Sequence, residues 1–216
     1  MIKKGLIVSC QSENGSAFND SESIVKFALE AERGGAVGLR LRGVNNVLEV
    51  NTTSELPIIG LTKSQYENGE VWITPSWNQA KDLRDVGADY VAMDATGRGG
   101  YYDIELASSG GLINIIGDIS NISQAEEALK NGCKILTTAL SGYTSECDVD
   151  MNRPDYVLLY DLVKNFPDIP IMAEGRYWEH DEVKKAFDIG AHNVVVGTAI
   201  TRPHLITKRL MEAFNE

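Results

Sequence analysis

Short apolar runs recur along the chain at regular intervals, and each is followed by a stretch with helical spacing. The runs Gly5–Cys10, Ala36–Arg40, Pro57–Leu61, Tyr90–Asp94, Leu112–Asp118, Lys134–Thr138, Ile171–Gly175 and Asn193–Gly197 are near-continuous, not alternating. Strands buried on both faces read this way, because neither face meets water. Between them, Ile24, Phe27, Ala28 and Ala31 follow i, i+3, i+4, i+7 after Asp20-Ser21, and Gly34-Gly35 closes that helix. Ser123-Gln124-Ala125-Glu126 reads as a capping box before Ala128-Leu129, with Gly132 as the stop. Val183, Ala186 and Phe187 lead to Gly190, and Ile206, Leu210, Ala213 and Phe214 place one apolar stripe on the last helix.

Eight strands alternating with helices in 216 residues predict an α/β fold, a (β/α)8 TIM barrel at the short end of its range, occupying residues 1–216 as one domain. A doubly wound open sheet shares the alternation and stays open as an alternative. Glycines 97, 99, 100, 110 and 111 surround only a short helical stretch at Asp103–Ser109, so the fourth helix is expected to be truncated. Ala139–Arg153 is the longest loop and a candidate lid.

Charge narrows the partners. Twenty Lys+Arg against 31 Asp+Glu give a net charge of −11, which argues against nucleic acid or an anionic membrane surface. A small anion bound by a few local cations stays compatible with it. Cys10, Cys133 and Cys147 are too few and too scattered for a disulfide framework or a zinc motif. The first nine residues lack a signal-peptide core, and no apolar run approaches the roughly 18 residues of a membrane span. A cytoplasmic location is therefore expected.

In a parallel barrel the C-terminal strand ends share one face, where the active site is built. Those ends carry Gln11, Arg40, Lys63, Asp94, Asp118, Thr138, Glu174 with Arg176, and Gly197-Thr198. Each alone reads as a solvated loop residue; the whole set at one level reads as a site. Glycine-rich turns after the last two strands, at Glu174-Gly175-Arg176 and Gly197-Thr198 with Arg202 beyond, suit a phosphate. Lys63 near Arg40 would have its ammonium disfavoured by like charge and desolvation, toward a working base. Glu174 could exchange a proton with it or hold it, a pairing suited to proton abstraction beside a carbonyl. The three histidines fall in or beside helices, so no metal is expected, with Asp94 and Asp118 the residual candidates. Trp72, Trp77 and Trp178 read as packing or loop-covering residues.

The motifs carry a family resemblance. Gly5-Leu6-Ile7-Val8-Ser9-Cys10-Gln11, Pro57-Ile58-Ile59-Gly60 with Lys63, Ile73-Thr74-Pro75, Asp94-Ala95-Thr96, Asp118-Ile119-Ser120, Thr137–Thr144, Ala173-Glu174-Gly175-Arg176 and Gly197–Pro203 run in order from end to end. In these the chain resembles the bacterial N-acetylmannosamine-6-phosphate 2-epimerases of amino-sugar and sialic acid breakdown. The resemblance implies interconversion of N-acetylmannosamine 6-phosphate and N-acetylglucosamine 6-phosphate without a cofactor, in a homodimer. It implies Lys63 as catalytic acid/base with Glu174 as partner. Gln11, Arg40, Asp118 and Thr138 would hold the sugar, and Gly175, Arg176, Gly197, Thr198 and Arg202 the phosphate. Arg42, Ser64 after Lys63, Thr198 and the short segment after Arg98 depart from the family pattern. A Schiff-base aldolase using Lys63 and a catalytically silent sugar-phosphate sensor are the alternatives.

Overall fold

A computed structural model describes residues 1–65, 71–110, 114–145 and 149–214, without the Gln65 side chain. The expected strand start at Leu112, and Cys147, lie outside the described residues. The chain runs through β1 (Gly5–Cys10), α1 (Ser21–Arg33), β2 (Gly38–Arg42), α2 (Val44–Asn51) and β3 (Ile58–Leu61). Then come two short strands, β4 (Lys63–Gln65) and β5 (Val71–Ile73), and α3 (Trp77–Asp85), β6 (Tyr90–Asp94), α4 (Tyr102–Ser109) and β7 (Asn114–Asp118). The remainder is α5 (Ile122–Lys130), β8 (Ile135–Thr137), α6 (Tyr156–Asn165), β9 (Ile171–Glu174), α7 (His180–Ile189), β10 (Asn193–Val196), α8 (Thr198–Thr201) and α9 (Pro203–Glu212).

Eight strands close a parallel barrel in the order β1-β10-β9-β8-β7-β6-β3-β2. The closure, through β1 pairing with both β10 and β2, rules out the open sheet. The near-continuous apolar runs have a direct cause: alternate side chains fill two different cores. Ile7, Ile59, Leu61, Ile116, Met172 and Val195 point into the barrel. Val8, Leu39, Leu41, Ile58, Val91 and Val194 point outward under the helices. Gly60 lets α3 approach, since a Cβ there would lie 3.0 Å from the Ala88 Cβ and 3.3 Å from Leu83.

Two details differ from the sequence reading. The N-cap of α5 is Asn121, whose side chain accepts from the Gln124 N–H at 3.0 Å, so the capping box does not start at Ser123. Asn can accept from the third helical N–H from this earlier position. The fourth helix is short, as expected, with eight residues at Tyr102–Ser109, but α2 is equally short. Finally, β4 and β5 form an antiparallel hairpin separate from the barrel, with Lys63 opposite Ile73.

Leu83, fully buried on α3 over Gly60, gives a check on this packing. Leu83→Ala should lower unfolding free energy by about 2–5 kcal/mol in urea titrations. A loss below about 1 kcal/mol would mean that α3 is not seated on β3 as described.

Candidate active site

Strand parity decides which strand-end residues face the barrel interior. Ser9 pairs in register with Arg40, and Arg40 with the inward Ile59, so all three share one face. Asp118 lies two residues beyond the inward Ile116, and Glu174 pairs with the inward Val195. The result is a charged floor one layer above the inner apolar core. Arg40, 2% exposed, donates through Nη2 to Asp118 Oδ2 at 2.5 Å and through Nη1 to Asp118 Oδ1 at 3.3 Å. Its Nη1 also lies 3.2 Å from Glu174 Oε2. Burial works against the guanidinium's charge, but Asp118 and Glu174 outweigh it and hold Arg40 charged. The fully buried Asp118 is pushed upward by burial, against the pull of Arg40. Removing one member of such a network strands a charge in low dielectric, at a cost of about 3–5 kcal/mol.

Above this floor opens a cavity of about 780 Å³. Lys63 enters it from the hairpin, not from a barrel strand. Its pKa is lowered to about 8, first by burial, then by Arg40, with Arg202 and Arg42 adding to the effect and Glu174 opposing it. Glu174 lines the same cavity, and its contacts to Arg40 and to the Thr137 hydroxyl both use Oε2. Gln11 lines the cavity beside Ser9, donating from Nε2 to Ser9 Oγ at 2.8 Å, while its Oε1 is buried without a partner among the described residues.

The expected phosphate residues Gly175, Arg176, Gly197, Thr198 and Arg202 all line this cavity. Gly175 and Arg176 have φ of +111° and +64°, consecutive left-handed residues that turn the chain sharply after β9. The Arg176 guanidinium, however, is committed elsewhere. It donates to the Arg153 carbonyl at 2.7 Å and the Ser141 carbonyl at 2.7 Å, clamping the long loop after β8. Arg202 sits 3.6 Å from Glu13 Oε2.

Thr138 does not line the cavity. It is one residue out of phase with the inward Ile135 and Thr137, and its hydroxyl staples the Glu174 backbone. It donates to the Glu174 carbonyl at 2.8 Å and accepts from the Glu174 N–H at 2.9 Å. Asp94 is engaged by the Thr96 hydroxyl at 2.6 Å and by Arg98. Among the described residues no group of three or more His, Cys, Asp or Glu is arranged to hold a metal. Each histidine is engaged outside the cavity: His180 with Asp181, His192 with the Ile2 carbonyl and His204 with Glu13.

Cavity walls that strand ends do not reveal come from Val71 and Ile73 on the hairpin and from Tyr143, Tyr177 and Trp178 on the loops after β8 and β9. The hairpin had a signal in the sequence: Asn68-Gly69, a favoured turn pair, lies between its two strands.

A family model described as "Putative N-acetylmannosamine-6-phosphate epimerase" matches residues 24–216. A relative from Clostridioides difficile is 36% identical over 98% of this chain and 96% of its own length. One from Caldanaerobacter subterraneus is 39% identical over 100% of this chain and 93% of its own. Both are named "Putative N-acetylmannosamine-6-phosphate 2-epimerase". The solved N-acetylmannosamine-6-phosphate 2-epimerase from Clostridium perfringens superposes with a TM-score of 0.91 at 36% identity, covering 98% of this chain and 94% of that one. A thiamine phosphate pyrophosphorylase from Pyrococcus furiosus, at 17% identity and a TM-score of 0.60, shares the fold. With a full-length match in sequence and structure, this chain belongs to the N-acetylmannosamine-6-phosphate epimerase family.

Proposed function

We propose that this chain interconverts N-acetylmannosamine 6-phosphate and N-acetylglucosamine 6-phosphate, in amino-sugar and sialic acid breakdown, by removing and returning the proton on C2 of the open-chain sugar. The observation that carries the reading is Lys63, a cation held among other cations in the mouth cavity with its pKa lowered to about 8. At pH 7.5 roughly a quarter of such a lysine is the free base, against about one in a thousand for an ordinary lysine. The C2 proton is acidic once C1 is an aldehyde, because its removal gives an enolate. Neutral Lys63 takes the proton, and return to the opposite face inverts the centre. Glu174 is the second group able to hand on a proton; Oε2 is held by Arg40, which leaves Oε1 for that task.

The enolate oxygen needs a donor. Arg40, or Gln11 beside it, supplies one from the cavity lining. A single such donor is worth about 3–4 kcal/mol in the transition state. Arg40 and Asp118 form the charged floor beneath the sugar. The backbone N–H groups around Gly175-Arg176 and Gly197-Thr198, with the Arg202 side chain, bind the phosphate and hold the flexible open chain for reaction. A phosphorylated substrate is too polar to cross a bilayer, which supports a cytoplasmic enzyme. Leu210 on α9 and Phe214 just past its end, both exposed in the single chain, support the homodimer.

The test is proton exchange in deuterium oxide, followed by NMR with N-acetylmannosamine 6-phosphate. Epimerisation with deuterium appearing at C2 is expected. Binding without exchange would instead make the protein a sensor, and a borohydride-trapped Lys63 adduct would make it an aldolase-type enzyme. Lys63→Ala should lower exchange by at least about a thousandfold while the sugar phosphate still binds; retained exchange would remove Lys63 from the reaction. Arg202→Ala should raise KM more than about tenfold with kcat within about threefold, and a pure kcat loss would contradict a phosphate role. The pH profile carries a sign. The base must be neutral, so kcat/KM should rise with pH through about 8. Because Glu174 holds the Lys63 pKa up, the residual activity of Glu174→Gln should show that limb at lower pH; a shift to higher pH would contradict the assigned coupling.

A further inference from the structure

The hairpin that carries Lys63 lies outside the barrel sheet, so the barrel's own hydrogen bonding does not fix it. Something else must hold the lysine over the charged floor. Part of the answer lies at the base of the hairpin. The Thr62 N–H donates to Thr74 Oγ1 at 3.0 Å, the Thr74 N–H donates to the Thr62 carbonyl at 3.1 Å, and the Thr62 hydroxyl donates to Gln79 at 2.7 Å. These contacts fix where the two strands leave the barrel. They do not fix how the hairpin leans.

The second strand is held from the side by the loop after β6. The Arg98 guanidinium stacks 5.0 Å from the centre of the Trp72 ring and donates through Nη2 to the Val71 carbonyl at 3.3 Å. Both partners sit on β5, where Trp72 pairs with Ser64 and Ile73 with Lys63. The guanidinium is itself aimed by β6: Nη2 pairs with Asp94 Oδ2 and Nε donates to Thr96 Oγ1 at 2.9 Å, while Asp94 Oδ1 accepts from the Thr96 hydroxyl. Gly99 completes the fit, because a Cβ there would lie 2.9 Å from the Trp72 ring. Arg98 and Asp94 are not lining residues of the cavity, whereas Val71, Ile73 and Lys63 are.

We propose that Asp94 and Arg98 are positioning residues for the catalytic lysine: anchored on a barrel strand, they grip Trp72 and Val71 and so lock the hairpin that delivers Lys63 into the cavity. The proposal rests on Lys63 being the base. It accounts for the Asp94-Ala95-Thr96 motif and Arg98, which the phosphate and proton-transfer roles leave unused. A planar, forked cation meets the requirement of stacking on an indole while bonding a carboxylate, a hydroxyl and a carbonyl; a lysine ammonium does not.

A loosened hairpin leaves the phosphate cradle intact but lets Lys63 into water, away from Arg40. Its pKa then climbs from about 8 toward the ordinary 10.5. In Arg98→Ala, kcat at pH 7.5 should fall at least about tenfold and KM should stay within about threefold. The alkaline-rising limb of kcat/KM should move up by at least about one pH unit. Arg98→Lys should not rescue either quantity, and Trp72→Leu should move the limb in the same direction. Circular dichroism and thermal melting of each variant identify the folded fraction, and if Arg98→Ala fails to fold, Trp72→Leu is the deciding variant. An unmoved limb, or activity lost only in proportion to folded protein, would overturn the proposal. So would a loss carried by KM, since Arg98 would then touch the substrate. Lys63→Ala measured in parallel separates the two ideas. If it stays active, the base assignment fails; if it is dead while Arg98→Ala keeps the wild-type limb and kcat, the positioning role alone fails.

Discussion

The buried contact among Arg40, Asp118 and Glu174 is the constraint around which the site is arranged. A guanidinium 2% exposed inside a barrel is tolerable only with carboxylates beside it, and the strand register supplies them from β7 and β9. The network therefore requires a closed barrel, because β2 does not pair with either β7 or β9. It also fixes the Glu174 carboxylate through Oε2, while Thr138 fixes the Glu174 backbone from the neighbouring strand. Fold and chemistry meet in this set of contacts.

Electrostatics then explain how an acidic chain handles an anionic substrate. The net charge of −11 belongs to the molecule as a whole, but Arg40, Arg42, Lys63 and Arg202 are close enough around the mouth for the three arginines to lower the lysine's pKa. Burial is the larger cause, and the neighbouring cations add to it. Glu174 opposes them, which keeps the lysine's pKa near the range where it both accepts and returns a proton.

The barrel was legible in the sequence because its strands are buried on both faces, which leaves near-continuous apolar runs such as Ile58-Ile59-Gly60-Leu61. The level of the site was legible for the same reason: polar residues end those runs. Depth and parity were harder to see. Thr138 directly follows β8 while Glu174 ends β9, and one residue of phase turns Thr138 toward backbone instead of cavity. Arg176 sits in a phosphate-like turn, but its side chain reaches back to the loop around Ser141 and Arg153, contacts with no signature in the sequence. The hairpin breaks the β/α rhythm with strands only three residues long, below the length at which periodicity is informative. The early position of Asn121 as cap was hidden by an equally good Ser123 pattern.

The protein, not the solvent, sets the protonation of Lys63. The most direct measurement is an NMR titration of the lysine side chains in protein carrying 13Cε-labelled lysine, with the Lys63 signal assigned by its loss in Lys63→Met. A midpoint near 8 is expected for that signal, well below the ordinary lysine value of about 10.4. A Lys63 midpoint above about 10 would contradict it, because the lysine would then be an ordinary ammonium at the pH where the enzyme must work.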